Sequence, residues 1–400
     1  MPTPASRIAV VGGSLGGLTA ASLLRDAGHD VTIYERSPVP LEQRGAGIGL
    51  LEATYRYPVE RAGSDLERLS VHTNAIRTLH DDGSVAVEQA HRYRFSSWNT
   101  IYRSLVDDWL GHDPTSDRHR LGHLMTSFED RGTEVEVRFE NGAATTVDLL
   151  VCTDGVGSTG RRLLQPSAER RYAGYVAWRG TVPEAELTTS TLDLLGDAIT
   201  YHVHTNSHIL VYPIPSADGS VEPGQRLINF VWYRNYAEGT ELDQVLTDRL
   251  GRRRELSIPP GLAADDQVSE VRAEAEARLP TPIAEVVRAT DEPFVQAIFD
   301  IEVDALTFGR ACLVGDAGFA VRPHAAAGSA KACEDGWQLA RALDEHDDLD
   351  HALAVWQTRQ MDLGRDLLER TRRIGRRSQV DNDWQAGDPD LIFGLYGPGN

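Results

Sequence analysis

A short run of glycines stands between an apolar stretch and a helix-forming stretch of the sequence. The run is Gly12-Gly13-Ser14-Leu15-Gly16-Gly17, with strand-like residues 8–11 before it and helix-like residues 18–27 after it. Glycine lets a backbone approach a pyrophosphate closely, and the N-terminus of the following helix attracts that anion. The usual dinucleotide-binding spacing needs glycine at positions 12, 14 and 17, and here serine replaces the middle glycine.

The residues that follow complete a βαβ unit with an acid in the position that binds ribose. Val31 to Glu35 form the second predicted strand, and Glu35 stands 23 positions after Gly12. An acidic side chain in this position accepts hydrogen bonds from ribose hydroxyls. The sequence therefore predicts a site for NAD or FAD. The alternative is a tight strand-to-helix turn without a ligand.

The composition narrows the class of protein. The chain has 400 residues, enough for two or three domains or for one elaborate α/β body, and 41% of them are hydrophobic and 25% charged, as in an ordinary globular protein. Its net charge of −20 argues against binding to nucleic acid or to an anionic membrane surface. No apolar run approaches the roughly 20 residues of a membrane span, and the first residues lack the apolar core of a signal peptide.

Cysteine and lysine usage narrows the class further. Cys152, Cys312 and Cys333 form no C-x-x-C pair, and two of them stand in apolar runs, so we expect buried reduced thiols and a cytoplasmic protein. Lys331 is the only lysine in the sequence. This excludes a P-loop, because that motif needs lysine after its last glycine.

Hydrophobic periodicity divides the rest of the chain into further elements. We predict, in chain order, short strands over 68–96, a helix over 101–109, a hairpin over 133–152, a β-rich region over 171–235, a more helical region over 241–290, a buried strand over 309–314, and helices over 325–345 and 348–375. The last 20 residues are polar and rich in glycine, which favours a surface tail.

Two later segments resemble sequence motifs of the flavoprotein aromatic hydroxylases. Asp148 to Arg161 is similar to the Asp-Gly motif of that family, and Gly309 to Ala317 is similar to its Gly-Asp motif. Together with the glycine turn, the motifs stand in the order that the family has. The resemblance implies that the dinucleotide is FAD, that Asp316 binds its ribose, and that Asp154 serves both FAD and NAD(P)H.

The segment after the Gly-Asp motif departs from the pattern of most family members. They carry Pro-x-x-Gly-Gln-Gly-x-Asn, whereas this chain has Pro-His-Ala-Ala-Ala-Gly-Ser-Ala over 323–330. This variant, together with segments 172–180, 212–215 and 229–233, resembles the branch of the family that hydroxylates dihydroxypyridines. The resemblance covers most of the chain but does not fix the substrate.

The resemblance also implies a set of contacts to FAD. The helix after Pro323 would direct its N-terminus at the pyrimidine edge of the flavin, where its dipole stabilises the anionic reduced ring. The loop from Gly45 to Leu50 would touch the flavin. The predicted cofactor-binding residues are Gly12, Gly13, Ser14, Leu15, Gly17, Glu35, Arg36, Gly47, Ile48, Arg103, Leu124, Asp154, Asp316, Ala326, Ala327, Gly328 and Ser329.

The chemistry that the resemblance implies is ring hydroxylation by a single-component enzyme. FAD is reduced by NADH or NADPH and reacts with O2 to a C4a-hydroperoxide, which an electron-rich aromatic or N-heteroaromatic ring attacks. Pro323 would lie against the flavin face, and His324, Tyr212 and His208 are the predicted polar groups near the substrate. The unperturbed pKa of histidine suits His324 to proton transfer. The alternative is a structural histidine that caps the next helix.

Other chemistries fit the sequence less well. His202, His204 and His208 would share one face of a strand over 200–212, but no cysteine completes a zinc site, so we predict no metal. A flavin halogenase needs a catalytic lysine, and Lys331 stands on the helix after Gly328. Another flavin oxidase or dehydrogenase of this fold, and a non-catalytic FAD-binding protein, remain alternatives.

The expected fold is a doubly wound, Rossmann-like FAD-binding α/β domain with an inserted β-rich substrate domain, like that of p-hydroxybenzoate hydroxylase. The expected division is 1–70, 97–170 and 290–345 for the FAD-binding domain, 71–96 and 171–289 for the substrate domain, and 346–400 for a C-terminal helix and tail. The expected partners are a small aromatic substrate and, because dimers are common in the family, a second copy of the chain.

Overall fold

The computed structural model describes residues 3–42, 46–112 and 117–400. Over these residues the strands are Arg7–Val11 (β1), Asp30–Tyr34 (β2), Gly47–Gly49 (β3), Val71–Leu79 (β4), Val85–Ser97 (β5), His119–Arg120 (β6), Met125–Asp130 (β7), Val135–Phe139 (β8), Ala144–Val147 (β9), Leu149–Cys152 (β10), Arg171–Pro183 (β11), Ala198–His204 (β12), Ser207–Ile214 (β13), Leu227–Asn235 (β14), Ser257–Ile258 (β15), Phe294–Asp300 (β16), Thr307–Phe308 (β17) and Ala311–Leu313 (β18).

The α-helices of the same residues are Leu15–Asp26 (α1), Glu52–Glu60 (α2), Leu66–Leu69 (α3), Trp98–His112 (α4), Thr159–Leu164 (α5), Thr189–Leu195 (α6), Thr240–Val245 (α7), Asp265–Arg278 (α8), Thr281–Ala289 (α9), Gly328–Glu345 (α10) and Leu349–Arg376 (α11). A 3-10 turn, Pro323–Ala325, precedes α10. None of the described helices is long and apolar enough to span a membrane.

Six strands form a largely parallel sheet in the order β17-β18-β10-β1-β2-β6. β1 lies between β10 and β2, and Val11 is level with Cys152 on one side and Tyr34 on the other. Strands in such a sheet are apolar throughout because both faces are covered, and α1 packs against both β1 and α10. This is the doubly wound sheet predicted from the sequence. The loops after its parallel strands meet at its carboxyl edge, where ligands bind in such folds.

Nine strands form the second sheet, in the order β15-β16-β11-β14-β13-β12-β4-β5-β3. Successive side chains of a strand point to opposite faces. Val176 and Trp178 of β11 therefore join one hydrophobic core, and Tyr175 and Ala177 join another. β3 and β16 pair within this sheet, although the sequence grouped their residues with the FAD-binding segments. The division of the chain into domains remains a prediction.

The structure corrects three local expectations. Residues 68–96 form two long strands, β4 and β5, rather than several short ones. The expected strand over 200–212 is two strands joined by a turn, with Asn206 in the left-handed conformation at φ 56°. The predicted surface tail contains Phe393 and Leu395, which are only 5% and 4% exposed, because two apolar side chains among polar residues suffice to hold it against the core.

One buried ion pair ties α10 to the loop after β18. The Lys331 ammonium lies 2.7 Å from the Asp335 carboxylate, and the two side chains are 1% and 0% exposed. The same carboxylate oxygen accepts a hydrogen bond from the backbone N–H of Gly315 at 2.7 Å. Removing one partner of a buried pair leaves the other charge without compensation, which is costly.

We expect Lys331→Met to lower the free energy of unfolding by about 3–5 kcal/mol, because it leaves Asp335 buried and unpaired. A matched control stands on the same helix, where Arg341 and Glu345 are also 2.7 Å apart at the same i,i+4 spacing but are largely exposed. Arg341→Met should change stability little. Urea unfolding of both variants checks this, and equal losses would contradict the role of the buried pair.

Candidate active site

Two cavities open along the carboxyl edge of the six-stranded sheet. The first has a volume of about 370 Å³ and lies between that edge and the nine-stranded sheet. The second has a volume of about 240 Å³ and lies over the ends of β1 and β2. Gly155 and Gly157 line the second cavity and Val156 lines the first. The loop after β10 thus runs along both, and an elongated ligand that passes it would occupy both.

The glycine turn and the end of β2 build the second cavity. A methyl group on Gly17 would lie 1.9 Å from the carbonyl oxygen of Gly12, so glycine is required for α1 to begin this close to β1. Glu35 accepts hydrogen bonds from the backbone N–H groups of Gly13 and Ser37, at 2.9 and 2.8 Å. Ser14 precedes α1 without capping it through its side chain, which leaves the first N–H groups of α1 for an anion.

The Asp-Gly loop is held by its own aspartate and by a buried arginine. The Asp154 carboxylate accepts hydrogen bonds from the backbone N–H groups of Thr159 and Gly160, at 2.7 and 3.1 Å, at the start of α5. Arg161 donates to the carbonyl oxygens of Val156 at 2.7 Å and Ala317 at 3.1 Å. Arg161 therefore joins the Asp-Gly loop to the Gly-Asp loop.

The Gly-Asp loop and the turn after it form one wall of the first cavity. The predicted residues in this wall are Asp316, Pro323, Ala326, Gly328 and Ser329; Ala327 is buried. Loss of solvent raises the pKa of Asp316 to about 6, against the opposing effect of the Lys331 and Arg161 charges. A nearby donor that favours the carboxylate would lower that pKa.

Three side chains of the nine-stranded sheet converge on the backbone of Gly47. The Gly47 N–H donates to Asn229 Oδ1 at 2.9 Å, and its carbonyl accepts hydrogen bonds from Arg179 at 2.6 Å and from the Tyr212 hydroxyl at 2.9 Å. A methyl group on Gly47 would lie 2.7 Å from the Tyr212 ring and 2.8 Å from Asn229 Cγ. Tyr212, predicted beside the substrate, lines the first cavity, but its hydroxyl proton is used to hold Gly47.

The opposite wall of the first cavity is aromatic. Phe95, Tyr212, Tyr233 and Phe393 line it, and the rings of Phe95 and Tyr212 stack at 4.2 Å. Between them the wall is formed by small or aliphatic side chains, Ala177, Leu210 and Val231. We refer to the space beside this wall as the slot, and the aromatic and aliphatic surface of the wall suits an aromatic ring.

One cation faces this slot. Arg179 lines the cavity. Besides the Gly47 carbonyl it contacts the Gln296 side-chain oxygen at 3.3 Å, and its guanidinium lies 5.9 Å from the centre of the Phe294 ring. Its Nε is buried without a partner among the described residues. No carboxylate of the described chain pairs with it, so its positive charge lies at the cavity without a counter-ion.

His324 lies behind the wall rather than in it. Its Nε2 is 2.7 Å from the Tyr175 hydroxyl, and its ring lies 5.4 Å from that of His208. Burial, with a smaller contribution from the Arg322 charge, lowers the pKa of His324 to about 3. It is therefore neutral at pH 7, and its side chain does not cap α10. His208 is also buried, and its Nδ1 lies 3.2 Å from the Gln379 amide nitrogen.

The remaining predicted residues fall in different places. Arg36 and Leu124 line the second cavity, and Ile48 lines the first. Leu15 is buried in the first turn of α1. Arg103 donates to the carbonyl of Ala217 at 3.3 Å and lies 3.5 Å from Glu42, outside both linings. Gly45 lies outside the described residues.

Sequence reasoning missed Arg179, Asn229 and Phe393. The alternation along β11 contains a signal for the first, because Tyr175, Ala177 and Arg179 share one face of a strand. No comparable signal marks Phe393, which stands in a segment without periodicity.

Models of known protein families match segments of the chain that contribute to both cavities. A FAD binding domain-like family model matches residues 172–300, and an NAD(P)-binding Rossmann-like domain model matches residues 10–40. The 2,6-dihydroxypyridine 3-monooxygenase of Paenarthrobacter nicotinovorans is 34% identical over 400 residues, which cover 99% of this chain and 97% of the relative. The 6-hydroxynicotinate 3-monooxygenase of Pseudomonas fluorescens is 28% identical, and the match covers 97% and 94%.

Solved structures confirm the predicted fold class. The structure of 2,6-dihydroxypyridine-3-hydroxylase from Arthrobacter nicotinovorans matches with a TM-score of 0.92 and 33% identity, covering 100% of this chain and 99% of that one. HpxO of Klebsiella pneumoniae, solved with FAD and uric acid, matches with a TM-score of 0.75 at 22% identity, covering 96% and 90%. The second likeness shows the fold alone.

The buried state of His324 predicts a dependence of stability on pH. Its pKa is about 3 in the folded chain and returns to about 6.5 on unfolding, so the unfolded chain binds a proton between these values. The free energy of unfolding should therefore fall as the pH drops below about 6.5, by up to about 1.4 kcal/mol per pH unit for this group.

Urea unfolding between about pH 4 and pH 8 checks the sign, because the contribution is fully present only above the unfolded pKa. His324→Asn should flatten the slope below about pH 6.5, whereas His80→Asn, at an exposed turn, should leave it unchanged. An unchanged slope in the His324 variant would show that the imidazole is not held neutral.

Proposed function

This chain belongs to the family of FAD-dependent aromatic hydroxylases, and we propose that it hydroxylates an N-heteroaromatic ring that already carries hydroxyl or oxo groups. The protein is an FAD-dependent monooxygenase that uses NADH or NADPH and O2. The choice of ring follows two relatives whose names specify dihydroxypyridine and hydroxynicotinate. The observation that carries it is the aromatic wall of the slot together with Arg179, which lines the same cavity and pairs with no carboxylate of the described residues.

The described residues fit FAD across the two cavities. The turn at Gly12 and Gly17 excludes any larger side chain, and the uncapped start of α1 favours a pyrophosphate. We propose that the glycine turn and Ser14 hold the pyrophosphate and that Glu35 holds a ribose. Arg36 and Leu124 would then flank the adenosine, because they line the same cavity.

The flavin end of the cofactor would occupy the first cavity. We propose that Gly47 and Ile48 border the ring on one side, with Asp316 and residues 326–329 on the other, since all of these but the buried Ala327 line that cavity. When bound, FAD supplies the hydride acceptor and the activation of oxygen. Pro323 remains the proposed contact to the flavin face, and Asp154 supports the loop between the two cavities.

The substrate ring would lie in the slot between Tyr212, Tyr233 and Phe95. We propose that the Arg179 guanidinium, which lines the cavity, binds a ring oxygen through a charge-assisted hydrogen bond. A ring oxyanion is richer in electrons than the neutral hydroxyl, so a cation that favours the anion also favours hydroxylation. Phe95, Tyr212 and Tyr233 would shield one side of the ring from water, because aromatic side chains form that wall.

The other predicted catalytic residues take supporting roles in this proposal. Tyr212 positions Gly47 through its hydroxyl. His324 is bound to Tyr175 and follows Pro323 directly, so we propose that it positions the turn rather than accepting a proton from the substrate. His208 supports the same buried cluster.

We also propose a cellular location and an oligomeric state. A cytoplasmic location is supported by Cys152, Cys312 and Cys333, which are all free and buried, as expected in a reducing compartment. A homodimer is proposed from the family alone, and sedimentation of the purified protein would decide it.

The proposed function is tested by turnover with defined rings. The purified protein should show a flavin spectrum, and 2,6-dihydroxypyridine or a hydroxynicotinate should stimulate NADH or NADPH oxidation and gain one oxygen atom from ¹⁸O2. Oxidation that yields only hydrogen peroxide with every ring would instead favour an oxidase. A spectrum without flavin after addition of FAD would reject the assignment.

We expect Arg179→Met to raise the KM for the ring substrate by about tenfold to a hundredfold, because hydrogen bonds to charged groups contribute about 1.5–3 kcal/mol. Arg171→Met is the matched control, since Arg171 lies on the same strand but is exposed. FAD content must be measured in both, because Arg179 also holds Gly47. Arg179→Lys should restore part of the loss, and an unchanged KM in both variants would remove Arg179 from the substrate site.

A further inference from the structure

The segment after α11 returns to the first cavity and forms part of its wall. Phe393 lines that cavity and is only 5% exposed. Leu395, two residues later, is buried in a separate apolar cluster with Ala325 and Leu367. The segment 389–396 therefore closes over the turn that precedes α10.

A buried arginine holds this segment by its backbone. The Arg370 guanidinium, on α11, donates hydrogen bonds to the carbonyl oxygens of Gly394 at 2.9 Å, Asp390 at 3.3 Å and Ile392. Arg370 is only 7% exposed. This buried cation has exchanged water for three carbonyl oxygens of one segment. It therefore fixes the path of that segment.

The ring of Phe393 is fixed from the other side. Its backbone N–H donates to the Tyr93 hydroxyl at 2.8 Å, and its ring stacks on that of Tyr93 at 4.7 Å and meets Phe95 edge-on at 6.3 Å. A methyl group on Gly49 would lie 3.6 Å from the Phe393 ring and 2.6 Å from the Ala326 methyl. Phe393 thus stands where the aromatic wall meets the turn.

We infer that Phe393 determines the size of the ring that this enzyme accepts. The inference rests on the proposed function. The first cavity must hold both the flavin end and the substrate, and its other walls are the Gly-Asp loop with the turn after it and side chains of the nine-stranded sheet. Among the aromatic side chains of the described residues that line the cavity, Phe393 alone comes from outside both sheets, so shortening it enlarges the slot without altering either sheet.

The two classes of substrate that Phe393 would distinguish are a single heteroaromatic ring and two fused rings. With Phe393 in place the slot accepts a single six-membered heteroaromatic ring. With a smaller side chain the space that the phenyl group occupied becomes available to a second, fused ring. Differences of a methylene in an apolar pocket change discrimination by about 10–200-fold, and a phenyl group is larger than that.

The experiment compares Phe393→Leu and Phe393→Ala with Tyr396→Ala, a control in the same segment whose side chain is 65% exposed. Each holoenzyme is titrated with 2,6-dihydroxypyridine and with a dihydroxyquinoline. Dissociation constants are read from the flavin absorbance, and kcat/KM from ¹⁸O incorporation. FAD content and melting temperature are recorded for every variant.

We expect wild type and Tyr396→Ala to prefer the single ring. In Phe393→Ala the ratio of the two dissociation constants should move at least about tenfold toward the fused ring, with Phe393→Leu between. If the alanine variant does not fold, the leucine variant decides the direction of the shift. An unchanged ratio in a folded, FAD-loaded Phe393 variant would overturn the inference.

The same experiment distinguishes failure of the inference from failure of the proposed function. If wild type neither binds nor hydroxylates either ring, the ring-hydroxylating function itself is rejected, and the inference is rejected with it. If wild type hydroxylates the single ring and the Phe393 variants keep its ratio, only the inference is rejected. Arg370→Lys provides a second test, since loosening the same segment should relax the choice of ring in the same direction.

Discussion

One border of the first cavity depends on the backbone of Gly47. Its N–H and carbonyl are bound by side chains from three neighbouring strands of the nine-stranded sheet, and no larger residue fits against Tyr212 and Asn229. Hydrogen bonds tolerate only a few tenths of an ångström in length. The strand β3 is therefore held directly against Tyr212 of the aromatic wall, and this contact fixes one border of the first cavity.

Buried charges hold the motif loops that form the opposite wall of the first cavity. Arg161 binds carbonyls of both motif loops, and the pair of Lys331 and Asp335 binds the N–H of Gly315. These hydrogen bonds are made within the protein, so the two loops are held in place before a ligand arrives. Asp316 and Arg179 differ from them, because each lines the first cavity and can form further hydrogen bonds with a ligand. Preorganised groups of this kind act strongly where water is excluded.

The sequence predicted what is local and periodic. The βαβ unit from Gly12 to Glu35 could be derived because each of its signals lies within one strand, turn or helix. The arrangement of an FAD-binding sheet and a β-rich substrate domain came from the family resemblance. The wall of the slot could not be derived, because it depends on how β11, β13 and β14 align. The place of His324 was likewise hidden, since the direction of its side chain is set by the turn. The polar composition of the last residues concealed Phe393.

The turn at Ala326 shows how closely these parts depend on one another. Ala326 has φ 53°, a left-handed conformation, at the position where most of the family carries glycine. The conformation costs a residue with a side chain about 1–2 kcal/mol, and burying one methyl group returns about 0.8 kcal/mol. That methyl packs on the core that contains Phe393 and lies beside Gly49, which has no side chain. Alanine at 326 is thus tolerated because glycine stands at 49 and a ring at 393. The three positions form one packed unit, and a substitution at any of them changes what the other two can accept.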